Sequence, residues 1–212
     1  GWEGCYTHFH SADLEDDGPT RAQWESFNSA LKRLEPEKGS LIHSCNAAAA
    51  MRYPTFAADA VRPGIFLYGG CVGKGVAPPE EAARVRARVT LIRDVPESTT
   101  LGYGATYRSS GNERWATLGI GYGDGFPRVL GNRGNALLAG QKFPIIGRIS
   151  MDMTVVDITG AGGVEVGDAA TLIGTDGDGV ITLDEVADLA GTISYEILTG
   201  FTARMPRIWI TE

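Results

Sequence analysis

Residues 73–79, Gly-Lys-Gly-Val-Ala-Pro-Pro, just after the pair Gly69-Gly70, separate two stretches of chain that follow different periodicities. Glycine and proline at this density interrupt both helix and sheet, so the segment reads as a linker. The division expected is residues 1–74 as one domain and 75–212 as a second.

Upstream of the linker, strand and helix signals alternate. Residues 5–10 form a short aromatic and β-branched run, and Asp16-Asp-Gly-Pro19 is a turn cluster. Thr20-Arg-Ala-Gln23 has the spacing of a capping box. Trp24, Phe27, Leu31 and Leu34 then recur on one helical stripe that stops before Pro36. Ser40–His43 reads as a brief strand and Ala47–Met51 as a turn or two of helix. Residues 57–68 read as a strand, the turn Arg62-Pro-Gly64, and a strand again. Such alternation implies βα units in a parallel sheet or barrel.

Downstream, Val85, Ala87, Val89 and Leu91 alternate with Arg84, Arg86, Arg88 and Thr90, a period of two with one wet face. Further strand-like runs cover 115–122, 135–138, 144–158, 169–173 and 204–210. Thr182-Leu-Asp-Glu185 opens a short helix with capping-box spacing. The second half is therefore expected to be a mostly antiparallel β domain.

Composition narrows the function classes. At 43% hydrophobic and 21% charged residues the chain has the balance of a globular protein. Its net charge of −7 lacks the basic face of a nucleic-acid binder. No apolar run approaches the ~20 residues of a membrane helix. Cys5, Cys45 and Cys71 are too widely spaced for a disulfide framework or a zinc pair, so the expected compartment is the cytoplasm. Glycine is abundant, 29 of 212 residues, as expected where backbone approaches a ligand closely.

Two local motifs fail as standard sites. Residues 69–74 lack the glycine and the hydroxyl of a phosphate loop. The Asp176-Gly-Asp178 stretch has Val180, Ile181 and Ala187 where a calcium loop needs ligands or glycine, and reads as a surface turn. A third motif carries a real alternative. His8 and His10 would share one face of a strand, and His43 follows on the next, so the three could ligate one metal ion in a hydrolase.

Seven blocks taken together resemble the alanine racemase family. They are Tyr-Thr-His8-Phe with Asp13, His43-x-x-Asn46, Val-Arg-Pro-Gly-Ile65 with Tyr68-Gly69, Gly-Tyr-Gly-Ala-Thr-Tyr107, Gly-Tyr-Gly-Asp-Gly125, Gly-Arg-Ile-Ser-Met-Asp152, and Ser194-Tyr195-Glu. They stand in the family's order along essentially the whole chain. The resemblance implies the C-terminal portion of a (β/α)8 barrel that binds pyridoxal 5'-phosphate, followed by a β domain. It implies interconversion of L- and D-alanine through an aldimine, in a homodimer whose site joins the barrel of one subunit to the β domain of the other.

The same resemblance assigns roles. Tyr103 matches the tyrosine that exchanges the α-proton on one substrate face, with His8 and Arg62 as its partners. Arg62 also matches the residue facing the cofactor's pyridine nitrogen. Because a guanidinium keeps its proton, that nitrogen is expected to stay unprotonated, which favours simple racemisation. Gly64 and Ile65 match amides that receive the phosphate, Tyr195 a phenol bonded to it, and Asn46 and Ala47 further cofactor contacts. Met151 matches the amide that meets the substrate carboxylate, and Tyr122 packs near the catalytic tyrosine. Asp13, Arg128, Arg148 and Asp152 match the corridor by which substrate enters.

Two departures stand out. Ala47 replaces a serine that donates to the phosphate in the family. The only lysines are Lys32, Lys38, Lys74 and Lys142, none of them in the place of the family's Schiff-base lysine. That residue lies in an N-terminal segment expected to be absent here, so a complementing polypeptide is the expected partner. A racemase of serine or of broad specificity, and a non-catalytic remnant, are the remaining alternatives.

Overall fold

Strands β1 (Gly4–Tyr6), β2 (Leu41–Asn46) and β3 (Ala60–Arg62) pair in parallel in that order, in a computed structural model that describes residues 2–210. Parallel neighbours need a crossover. Helix α1 (Gly18–Leu34) supplies the first, and α2 (Ala47–Arg52) with a 3-10 turn at Pro54–Phe56 supplies the second. The chain divides into two compact units, Gly1–Ala82 and Ala83–Glu212.

Helix α1 starts earlier than the capping-box spacing predicts. Pro19 sits in the first turn, where its missing N–H costs nothing. Asp17 takes the capping position, yet its carboxylate binds Arg21 Nε at 2.5 Å instead of a backbone amide. Thr20 consequently lies inside the helix, buried. At the other end, Glu35 adopts a left-handed φ of 43° just before Pro36. Trp24 stacks on Phe56 at 4.8 Å between ring centroids, and Phe9 and Tyr53 complete that aromatic cluster. Leu34, last of the stripe, is exposed.

The second strand expected within residues 57–68 is instead a 3-10 helix, Ile65–Tyr68. Pro63 has no N–H for a ladder, Gly64 turns the chain at φ −125° and ψ −106°, and Gly69 ends the turn at φ 90°. The Gly70 N–H then donates to Ile65 O at 3.1 Å.

The second unit holds β4 (Val85–Val95), β5 (Thr100–Leu101), β6 (Tyr107–Arg108), β7 (Glu113–Leu118), β8 (Asn135–Leu138), β9 (Gln141–Ile146), β10 (Thr154–Asp157), β11 (Ala169–Asp176) and β12 (Gly179–Ile181). Helices α3 (Leu183–Ala190) and α4 (Ser194–Gly200) follow. Every strand pair in this unit is antiparallel, as expected of the β domain. The main sheet runs β12-β11-β4-β7-β10-β9-β8, and Thr171 of β11 also pairs with Leu137 of β8. That pairing closes the sheet into a ring. Leu118, Leu137, Ile145, Val156 and Leu172 are fully buried within this unit.

Several expectations meet the structure directly. The outward residues of β4 from Val85 to Thr90 alternate with buried ones, but Leu91, expected on the buried face, is exposed because the register with β7 shifts between Val89 and Leu91. Thr182 caps α3, its hydroxyl accepting from the Glu185 N–H at 3.0 Å. Asp176–Gly179 turns between β11 and β12, with Gly177 at φ 55°. Residues 204–210 form no strand. Ile208, Trp209 and Ile210 are each at least 80% exposed, because strand propensity needs a paired edge to act on.

Candidate active site

In the first unit, a cluster forms where β1, β2 and β3 end. Arg62, last residue of β3, donates from Nη2 to Thr7 O at 2.8 Å and to Ser44 O at 3.4 Å. The same guanidinium reaches His43 Nδ1 and, at 3.3 Å, His8 Nδ1. It also lies 5.2 Å from the Tyr6 ring centroid, and that ring stacks on His43 at 5.3 Å. The half-buried guanidinium is thus fixed by carbonyl oxygens and two imidazoles. Nearby in the chain, Asn46 caps α2: its carbonyl oxygen accepts from the Ala49 N–H at 3.0 Å, and its amide donates to Phe9 O at 3.1 Å.

In the second unit, Tyr103 rides on a turn shaped by Gly102 at φ 63° and Gly104 at φ 74°. Its side chain is 72% exposed. A Cβ on Gly104 would lie 2.9 Å from Arg148 Nη1, so glycine there admits the guanidinium against the turn. Two further turns lie side by side. The Tyr122 N–H donates to Ser150 O at 3.0 Å and the Gly123 N–H to Met151 O at 2.8 Å. A side chain at Gly121 would fall 2.5 Å from the Met151 carbonyl. Asp124 accepts from the Gly121 N–H at 3.0 Å through one oxygen and pairs with Arg204 Nε at 3.3 Å through the other. Arg204 Nη2 reaches Asp152 at 2.5 Å.

The family model for the alanine racemase N-terminal domain matches residues 1–74, and the model for the alanine racemase C-terminal domain matches residues 82–209. The chain belongs to the alanine racemase family. It is 42% identical to the alanine racemase of Carboxydothermus hydrogenoformans over 98% of this chain and 58% of that protein. Identity to the alanine racemase of Methanococcus maripaludis is 41%, over 98% of this chain and 57% of the relative. The crystal structure of the Bacillus anthracis alanine racemase with bound L-Ala-P superposes with a TM-score of 0.91 at 34% identity, covering 99% of this chain and 55% of that one. The Streptomyces coelicolor racemase gives a TM-score of 0.91 at 31% identity, over 99% and 56%. The chain thus spans between half and three-fifths of the length of the racemases it matches.

The residues singled out by the racemase resemblance fall into two groups. His8 and Arg62 come within hydrogen-bonding distance, with Asn46, Ala47, Gly64 and Ile65 on the adjoining segments. Asp13 is exposed, and its backbone lies against Gly73. Tyr103 stands between Gly102 and Gly104, the two glycines against which Arg148 packs, Tyr122 and Met151 sit on the paired turns, and Asp152 is ion-paired. Arg128 opens the 3-10 turn Arg128–Leu130, and Tyr195 stands in the first turn of α4, exposed.

The three histidines do not assemble. His10 bonds Ser11 Oγ at 2.5 Å, apart from the pair that meets Arg62. Between His8 and His43 stands a guanidinium, a permanent cation that opposes a divalent ion there. Among the described residues no group of three or more His, Cys, Asp and Glu could hold a metal ion. The metal-dependent hydrolase is therefore set aside.

Sequence reasoning missed Tyr6, Asp124 and Arg204. Tyr6 precedes His8 by two residues on an extended segment, which places both on one face; that spacing was a usable signal. Arg204 stands some fifty positions from Asp152, and no local pattern marks it.

Proposed function

We propose that the chain provides the closing βα units and the β domain of a pyridoxal-phosphate-dependent alanine racemase, interconverting L- and D-alanine. The observation that carries the reading is the Arg62 cluster, because it is a donor set of the kind a pyridoxal ring needs. Arg62 is anchored at the strand ends by Thr7 O and both imidazoles. It has no proton to surrender at working pH. Arg62 would hold the cofactor's heterocyclic nitrogen by donating a hydrogen bond to it, without supplying a proton.

The phosphate would be received at Gly64 and Ile65. The first amides of the Ile65–Tyr68 turn have no acceptor within that turn, and Gly64 places no side chain in the way. Tyr195 would add a phenol. Asn46 acts indirectly, since its carboxamide is committed to capping α2 and holding Phe9 O. The bound cofactor supplies an electron sink that acidifies the proton on the substrate's α-carbon.

The chain's own residues do the remaining work. Tyr103 moves the proton on one face, on a turn against which the Arg148 guanidinium packs at Gly104. Met151 offers its amide to the substrate carboxylate, and Tyr122 flanks the phenol. Asp13, Arg128, Arg148 and Asp152 line the way in. The two residue groups would meet by pairing of two copies, the barrel end of one with the Tyr103 turn of the other. None of the four lysines occupies the Schiff-base position, so the amine is to come from polypeptide outside these 212 residues. Cys5, Cys45 and Cys71, too widely spaced for a disulfide framework, accord with a cytoplasmic setting.

The test joins this chain to the N-terminal portion of the Carboxydothermus hydrogenoformans relative and measures alanine racemisation with added pyridoxal phosphate. Activity is expected. Tyr103→Phe should lower it by about 10²–10⁴-fold, with α-proton exchange lost on one face only. A joined protein that binds the cofactor yet leaves both enantiomers unchanged would overturn the reading.

A further inference from the structure

We propose that Arg204 is a positioning residue for the carboxylate-binding turn, clamping the Tyr122 and Met151 turns together and offsetting part of the negative charge beside them. The inference rests on the racemase reading. Its basis is a network that runs through three separate segments of the β domain.

The first two segments are the turns at 121–125 and 150–152, already tied through the Tyr122 and Gly123 amides. Those two bonds grip the carbonyl side of Ser150 and Met151. They leave the Met151 N–H and the Asp152 side chain unrestrained. The third segment, residues 200–204, lies along the first. The Thr202 N–H donates to Asp124 O at 3.0 Å, Thr202 Oγ1 to Gly123 O at 3.2 Å, and the Arg204 N–H to Thr202 Oγ1 at 3.4 Å.

From this seat the Arg204 side chain reaches both turns. Nε meets Asp124 at 3.3 Å and Nη2 meets Asp152 at 2.5 Å. The Asp124 side chain is only 14% exposed and its second oxygen is spent on the Gly121 N–H, which makes it a firm anchor. Arginine suits the task because its planar fork carries several donors in fixed directions, whereas an ammonium is a single point charge. A Cβ on Gly123 would meet Arg204 Nη1, so glycine at that position makes room for the guanidinium.

Charge supplies the second half of the inference. Asp124 and Asp152 would repel an incoming carboxylate at Met151. Arg204 faces both and neutralises one of the two charges. A surface ion pair of purely structural effect would influence neither substrate affinity nor its salt dependence; this one should influence both.

The experiment uses the joined racemase and compares wild type, Arg204→Lys and Arg204→Met. For Arg204→Met, KM for alanine should rise about tenfold with kcat within about threefold, the pattern of lost ground-state binding. Added salt should narrow the KM gap, and Arg204→Lys should fall between the two. Independently of turnover, ¹³C-methyl labelling of the joined protein should show the Met151 resonance shifted in Arg204→Met. If that variant fails to fold, Arg204→Lys decides alone, with a KM increase and a shifted Met151 resonance. A KM within twofold of wild type and an unmoved Met151 signal would overturn the proposal. So would kcat falling with thermal stability while KM ignores salt. A wild-type protein without racemisation refutes the functional reading, whereas an active wild type with indifferent variants refutes only the clamp.

Discussion

On the proposed racemase reading, Ala47 stands where a hydroxyl would reach the cofactor's phosphate. It is the first residue of α2, buried, immediately after the capping Asn46. Restoring a hydroxyl there adds one donor toward an anion, worth about 1.5–3 kcal/mol when charge-assisted. Ala47→Ser should therefore tighten cofactor binding by roughly tenfold or more, read by titrating the joined protein with pyridoxal phosphate. An unchanged affinity would show that another donor already fills that place. At this scale the sequence revealed the residues whose chemistry is intrinsic. A histidine, an arginine after a strand and a tyrosine between glycines were all visible. Tyr6 and Arg204 escaped notice because their importance lies in what they touch, and those contacts exist only after strands and turns distant in sequence have met.

Among the elements, the β5–β7 region is organised by one acid. Glu113, at the start of β7, accepts from Trp115 Nε1 at 2.7 Å, from the Ser110 N–H at 2.8 Å and from the Tyr107 hydroxyl at 3.0 Å. Burial alone would raise its pKa, but these donors outweigh it and hold the carboxyl below its ordinary range. Burial first, then the bond to Glu113, pushes the Tyr107 phenol up to about 12. Glu113 thus contributes stability above the unfolded carboxyl's ~4.3, lost as pH falls through its lower folded value. The Tyr107 contribution is complete below ~10 and disappears as pH climbs through about 12. Glu113→Gln places an amide among three donors and should cost about 1–3 kcal/mol. Urea midpoints at pH 7 should show it, and the gap to wild type should close toward acid pH. Legibility varied among elements for a physical reason. The period of two in β4 and the Thr182 cap are local signals; the cap matched the structure and the period held through Thr90, after which a register shift leaves Leu91 exposed. The Ile65–Tyr68 turn and the unpaired 204–210 segment did not match, since apolar runs of that length suit helix, strand or neither until a ladder partner is assigned.

At the level of the whole molecule, the contact between β8 and β11 was invisible in the sequence. Antiparallel strands could be counted from alternation, but ring closure depends on one register between segments more than thirty residues apart. Closure removes the exposed edges that make open sheets hazardous. The β domain, residues 83–212, should accordingly fold by itself. Produced alone, it should unfold in one cooperative urea transition; a broad, gradual loss of ellipticity would count against it. The tryptophans offer a way to watch this. Trp115 is 1% exposed inside that domain, whereas Trp209 is 89% exposed near the end of the described chain. Iodide should therefore quench a red-shifted emission component from Trp209 while Trp115 stays dark to the quencher and blue. Any polypeptide that comes to cover residues 208–210 would announce itself as a loss of quenching, an optical signal already built into the chain.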